Sequence, residues 1–166
     1  MVKLIRREET RMEEIRTIDP KFIEVSVDFF RTYADRCHHG KEEDILFKNL
    51  AEKSLSDEHE KIMNELIEEH IYARKTVANL LNAKDAYNKG NKDSLEDVLK
   101  LLKDLIEFYP IHIEKEDKRF FFPCMEYFTK QEQETMLQEF WNFDRKMIHE
   151  KYRQIVDDLE GKPEIK

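Results

Sequence analysis

Two stretches of this chain carry the same order of chemically capable side chains. His38-His39-Gly40-Lys41-Glu42-Glu43-Asp44-Ile45-Leu46-Phe47 and His112-Ile113-Glu114-Lys115-Glu116-Asp117-Lys118-Arg119-Phe120-Phe121 both read His-x-x-Lys-Glu-acid-x-x-apolar-Phe. On a helix, His and Glu at i and i+4 project from one face, one turn apart. An imidazole nitrogen and a carboxylate placed that way can share a metal ion, and a carboxylate can also bridge two ions. Two such pairs on different helices make a dinuclear site in a bundle core. With 37 acidic residues, one His–Glu pair on a solvated surface arises cheaply. Two copies flanked by the same Lys, acid and Phe do not.

The elements that must position these residues are helical. Only 3 Gly and 4 Pro occur in 166 residues, 40% are hydrophobic and another 40% are charged. That mixture favours long helices with few loops around one modest core, and the length favours a single domain over residues 1–166. No segment alternates apolar and polar residues for long, so no strands are expected. A first helix spans about Val2 to Thr17, with Leu4, Ile5, Met12 and Ile15 as its stripe. Asp19-Pro20 reads as N-cap and first helical residue of a second helix reaching about Lys53. Phe22, Val25, Phe29, Tyr33, Ile45, Phe47 and Leu50 are its expected buried face, and Gly40 is a place for a bulge. Ser56 caps a third helix to about Asn88. Gly90-Asn91 turns the chain, and Asp93 or Ser94 opens a fourth. Pro110 should kink that helix, and Pro123 should end it, or nearly so. Thr129-x-x-Glu132 is a capping box for a fifth helix to about Leu159, closed by Gly161-Lys162-Pro163.

Short connections imply antiparallel neighbours, so residues equally far from a turn lie at one height. His38 is about 15 residues before the first turn and His70 about 14 after it. His70 and His112 are each about 18 from the next. The three therefore fall on one level of successive helices. His59 lies ~16 Å along the axis from that level and His149 ~13 Å, so both are left aside. His39 points about 100° from His38 on an ideal helix and is expected as a neighbour, unless Gly40 distorts the turn. Cys37 and Cys124 are too few for a zinc cluster or a disulfide scaffold, and Cys37 reads as a small buried residue.

The net charge of −8 argues against nucleic-acid binding, which calls for a basic face. No apolar run approaches the ~20 residues needed to cross a bilayer, and no signal peptide is visible. A cytoplasmic protein is expected. No Glu-x-x-His of the ferritin type and no His-Glu-x-x-His of a zinc protease is present, nor is a Gly-rich phosphate loop.

The segments His38–Phe47, Glu69-His70 with Arg74 following, and His112 to Pro123 resemble the hemerythrin-like, or HHE cation-binding, family over nearly the whole chain. The resemblance implies an all-α fold: an antiparallel four-helix bundle, here with a shortened first helix and an additional C-terminal helix. It also implies a non-haem di-iron centre, with His38, His70 and His112 as terminal metal ligands and Glu42 and Glu116 as bridges. The family pattern places another ligand histidine on the first helix. This first helix has none, and by the level argument that residue would fall slightly upstream of Met1. The chain therefore starts late relative to the pattern, or has lost the ligand.

Such a centre implies binding or sensing of a small diatomic molecule (O2 or NO), or iron handling, rather than an enzyme. The alternatives are a helical interaction protein with an incomplete or empty site, and a di-iron redox or iron–sulfur repair protein. Two Fe per site are expected, though Zn or Mn could enter in expression. Tyr109 is either a hydrogen-bond donor to the ligands or a core aromatic. The apolar run Phe120 to Phe128 reads as core beneath a helix connection. A shortened first helix would expose bundle core, so a homodimer through that gap is expected.

Overall fold

The computed structural model describes residues 1–160, and among them every regular element is helical. The first helix, α1, is Val2–Ile15 and ends on Arg16, whose φ of 54° turns the chain. The rod α2 starts as Pro20–Phe29, runs through wide π-helical turns at Phe30–His39 and Glu42–Phe47, and finishes in Lys48–Leu50. Helix α3 is Asp57–Asn88. Rod α4 starts as Ser94–Lys115 and widens at Glu116–Phe121 before Phe122–Cys124. A 3₁₀ turn, Met125–Tyr127, precedes α5 at Lys130–Glu160. Among the described residues no helix is long and apolar enough to cross a membrane.

The local chemistry explains the starts. The Asp19 carboxylate accepts from the Phe22 N–H at 3.0 Å, with Pro20 behind it. The Ser56 hydroxyl accepts from the His59 N–H at 3.3 Å. Thr129 and Glu132 close their box reciprocally, at 2.8 and 3.3 Å. Each satisfies a backbone donor that the first turn leaves free. Gly90 takes φ +101° between α3 and α4.

Both prolines lie within α4. Pro110 is in its interior, and the helix continues to Lys115. Pro123 falls near its end, as expected: the α-helical turns finish at Cys124, the next residue. The helix is left only at Phe128, which is extended.

The expected faces of α1 and α2 also shift. In α1, Ile5 and Met12 are buried, whereas Leu4 and Ile15 are exposed. In α2, Val25 and Tyr33 are exposed, whereas Ile45, Phe47 and Leu50 are buried as expected. One inward line of the rod is Ile23, Val27, Phe30, Ala34, His39, Glu42, Leu46 and Leu50, whose positions advance by 4, 3, 4, 5, 3, 4 and 4 residues. The single step of 5 falls inside the π-helical turns. A wide turn holds an extra residue, which carries His39 onto the inward side. Such bulges recur at functional sites for this reason.

Two apolar clusters flank the inward-facing histidines. One joins Ile5, Met12, Ile23, Phe30, Leu80, Leu102 and Tyr109. The other joins Leu46, Phe47, Leu50, Leu66, Phe120, Cys124 and Phe128. Of the apolar run at the end of α4, Phe120, Cys124 and Phe128 are core, while Phe122 is exposed. Helix α5 lies against α2 where Gly40 leaves room for the Phe143 ring. A Cβ at Gly40 would stand 2.8 Å from its Cζ. Replacing Gly40 by Leu is expected to displace α5 and to speed protease cleavage between Phe128 and Asp144. Wild-type cleavage rates in that variant would show that the contact does not hold the helix.

Candidate metal centre

The two repeated motifs meet at the middle of the molecule. His38 Nε2 lies 3.0 Å from Glu42 Oε1 and 3.7 Å from Glu116 Oε2. His70 Nε2 lies 3.3 Å from Glu42 Oε2 and 3.7 Å from Glu116 Oε1. His112 Nε2 lies 3.0 Å from Glu116 Oε1. Each carboxylate thus turns one oxygen toward His38 and the other toward His70 or His112. Glu42, His70, His112 and Glu116 are buried, and the His38 side chain is 48% exposed.

Remoter groups hold these ligating atoms in place. His70 Nδ1 pairs with Glu43 at 2.6 Å, and His112 Nδ1 with Glu69 at 2.7 Å. Arg74 donates to Glu43 at 2.8 Å and to Asp35 at 2.7 Å. Lys115 donates to Glu65 at 2.9 Å and to Glu69 at 2.5 Å. The lysine shared by the two motifs is a strut in both, since Lys41 reaches Asp144 of α5. Backing carboxylates of this kind fix the imidazole tautomer and aim its free nitrogen inward.

The electrostatics of the cluster are strained without a cation. Burial pushes the Glu42 carboxyl upward, and the charge of Glu116 adds to that; His38 pulls the other way. Burial works against the Glu116 carboxylate too, but His112, His38 and His70 outweigh it and hold it below the usual range. Hydrogen bonding to Glu116 and Glu42 raises His38 to about 10. Glu42 Oε1 and Oε2, His70 Nε2, His112 Nε2 and Glu116 Oε1 are all buried without a well-aligned hydrogen-bond partner. Leaving such atoms unpaired costs about 1–3 kcal/mol each. A divalent cation would pair them together, and hard carboxylates with imidazoles are a donor set that suits it.

The remaining histidines divide sharply. His59 is away from the cluster, 2.8 Å from the Tyr127 hydroxyl. The side chain of His149 and the segment Gly161-Lys162-Pro163 lie outside the described residues. His39, expected as a neighbour of the ligands unless Gly40 distorts the turn, is 1% exposed and stacks on His70 with ring centroids 3.8 Å apart. A regular helical period hid it; the only sequence signal was Gly40 next to it. Tyr109 is a buried aromatic stacked on Phe30 at 4.9 Å. Cys37 is half-buried with its Sγ 3.3 Å from Asp144, and Cys124 is the buried cysteine.

A cavity of about 430 Å³ opens on the His38 side. His38 and Glu42 reach its wall, and Leu46, Phe121, Met136 and Phe140 are among the apolar side chains that line it.

Helices that bring imidazoles and carboxylates to one buried point define a helical protein with a group fit to hold a metal cation. The hemerythrin HHE cation-binding domain model matches residues 1–121 and 61–163, and the chain belongs to that family. Neither a curated protein nor a solved structure matches it.

Proposed function

We propose that this protein holds two iron ions on His38, Glu42, His70, His112 and Glu116, and uses them to bind or sense a small diatomic molecule. The observation that carries the reading is the two-sidedness of the carboxylates: Glu42 and Glu116 each present one oxygen to His38 and the other to the buried histidines. A carboxylate so placed can bridge, whereas a single-ion site would need only one of its edges. Ferrous ions held there supply a vacant coordination position and the electron density that O2 or NO requires.

The chain's own residues do the rest. The Glu43, Glu69, Arg74 and Lys115 contacts orient the imidazoles, and the apolar wall beside His38 limits water near the accessible edge. We further read the fold as one domain, an antiparallel four-helix bundle with a short first helix and an added C-terminal helix. The polar pairs support this. Glu24–Lys84, Asp35–Arg74 and Glu43–His70 rise on α2 as they fall on α3. Glu65–Lys115 and Glu69–His112 do the same between α3 and α4, as do Arg36–Glu150 and Lys53–Glu132 between α2 and α5.

Protein purified without oxygen should contain about two irons per chain, the number that a carboxylate-bridged pair requires. Exposure to NO or O2 should then change its absorption spectrum. Iron binding should also release protons at neutral pH, because His38 is protonated in the metal-free protein and must lose that proton to ligate. A chain that takes up no iron after anaerobic reconstitution would remove this reading. One that binds iron without responding to either gas would remove the diatomic ligand alone.

A further inference from the structure

His39 is built like a ligand. Its ring nitrogen, with those of His70 and His112, belongs to a group whose atoms all lie within 4.8 Å of one another. A second such group is His38 with Glu42 and Glu116. His39 Nδ1 is buried without a hydrogen-bond partner and faces the Asp35 carboxylate at 3.5 Å. This repeats, more loosely, the arrangement of His70 with Glu43 and His112 with Glu69. One guanidinium, Arg74, holds the carboxylates behind both His39 and His70. Among the described contacts His38 has no such backing carboxylate, and its side chain is half exposed at the wall of the 430 Å³ cavity. Its carboxylate contacts are to Glu42 and Glu116, inside the cluster itself.

Resting on the reading of the cluster as a metal centre, we propose that His39 is a sixth protein ligand and that the two metal positions are unequal. One is sealed among His39, His70 and His112. The other would be held by His38 with Glu42 and Glu116, on the side of the apolar cavity. The first helix supplies no histidine; within this chain the wide turn of α2 supplies the extra imidazole instead. A core role for His39 explains its stacking on His70. It does not explain a third imidazole whose nitrogen lies within 4.8 Å of those of His70 and His112, with an Arg74-braced carboxylate beside it.

The test is anaerobic titration with Fe(II), read by calorimetry and by metal content after desalting, on the wild type, His39→Phe, His39→Ala and His38→Ala. His39→Phe keeps an aromatic ring to stack on His70 but removes both nitrogens. The wild type should fill in two distinct steps. His39→Phe should weaken the tighter step at least tenfold, since losing a group that only orients a ligand already costs about 10–100-fold. His38→Ala should keep the tight step and lose the weak one. Free imidazole added to His39→Ala should recover part of the tight step. If His39→Phe binds both ions with wild-type affinities, His39 is a stacking residue and the proposal falls. If the wild type binds no Fe(II), the metal reading of the cluster falls with it. Circular dichroism of the metal-free variants separates misfolding from ligand loss, and a folded His39→Phe with unaltered binding is the decisive negative.

Discussion

On the proposed two-iron site, Glu116→Gln should leave a chain that retains at most one metal ion where the unsubstituted chain should retain two. Glu116 is the carboxylate on which most of the cluster converges. Oε1 stands 3.0 Å from His112 Nε2 and 3.7 Å from His70 Nε2, and Oε2 stands 3.7 Å from His38 Nε2. Glutamine has the same shape, but it replaces one oxygen with an N–H donor and removes the negative charge. A donor aimed at a cation cannot bridge it, and the ion left behind loses a charged ligand. The ratio of metal to protein after anaerobic loading and desalting reads the effect. Two ions per chain in this variant would mean that Glu116 is not a bridge.

The same substitution has a signature in the metal-free protein. Hydrogen bonding to Glu116 is the largest cause of the raised His38 value of about 10. A histidine raised in the folded state adds stability that is fully present below its unfolded value, about 6.5. That stability is lost as pH rises through the folded value. The metal-free wild type should therefore lose it between about 6.5 and 10, and Glu116→Gln should lose it from a lower pH. Titration of the His38 ring by NMR measures the shift directly.

The largest expected effect on stability is at Phe120. It is 0% exposed, one turn beyond Glu116, and its ring meets Phe47 edge-on at 5.6 Å between centroids. Phe120→Ala removes an aromatic ring from a cluster that also holds Leu46, Leu50, Leu66 and Cys124. Burying a ring and then deleting it costs about 3–5 kcal/mol, because the surrounding helices only partly collapse into the space. For a chain of this size that corresponds to a fall in melting temperature of roughly 10–15 °C. Because α4 carries Glu116 and Phe120 on one side, the variant should also bind metal less tightly. A melting temperature within about 2 °C of wild type would show that this cluster repacks without loss.

What the sequence by itself determined was the set of helices, their caps, and three histidines at one level, two of them with a Glu one turn away. Asp19-Pro20, Ser56, Gly90-Asn91 and Thr129-x-x-Glu132 are local signals, and each acts through a backbone group within a few residues of itself. The His-x-x-x-Glu spacing is local as well, so two motifs on different helices could be seen as one site once the turn lengths set their heights. The tertiary structure decided what depends on the shape of the helix rather than its existence. The buried sides of α1 and α2 are an example: Val25, Tyr33, Leu4 and Ile15 are apolar yet exposed, because packing partners rather than hydropathy choose the face. His39 is the sharpest case. Its burial follows from one extra residue in a π-helical turn between Ala34 and His39. A regular period of 3.6 cannot anticipate such a turn.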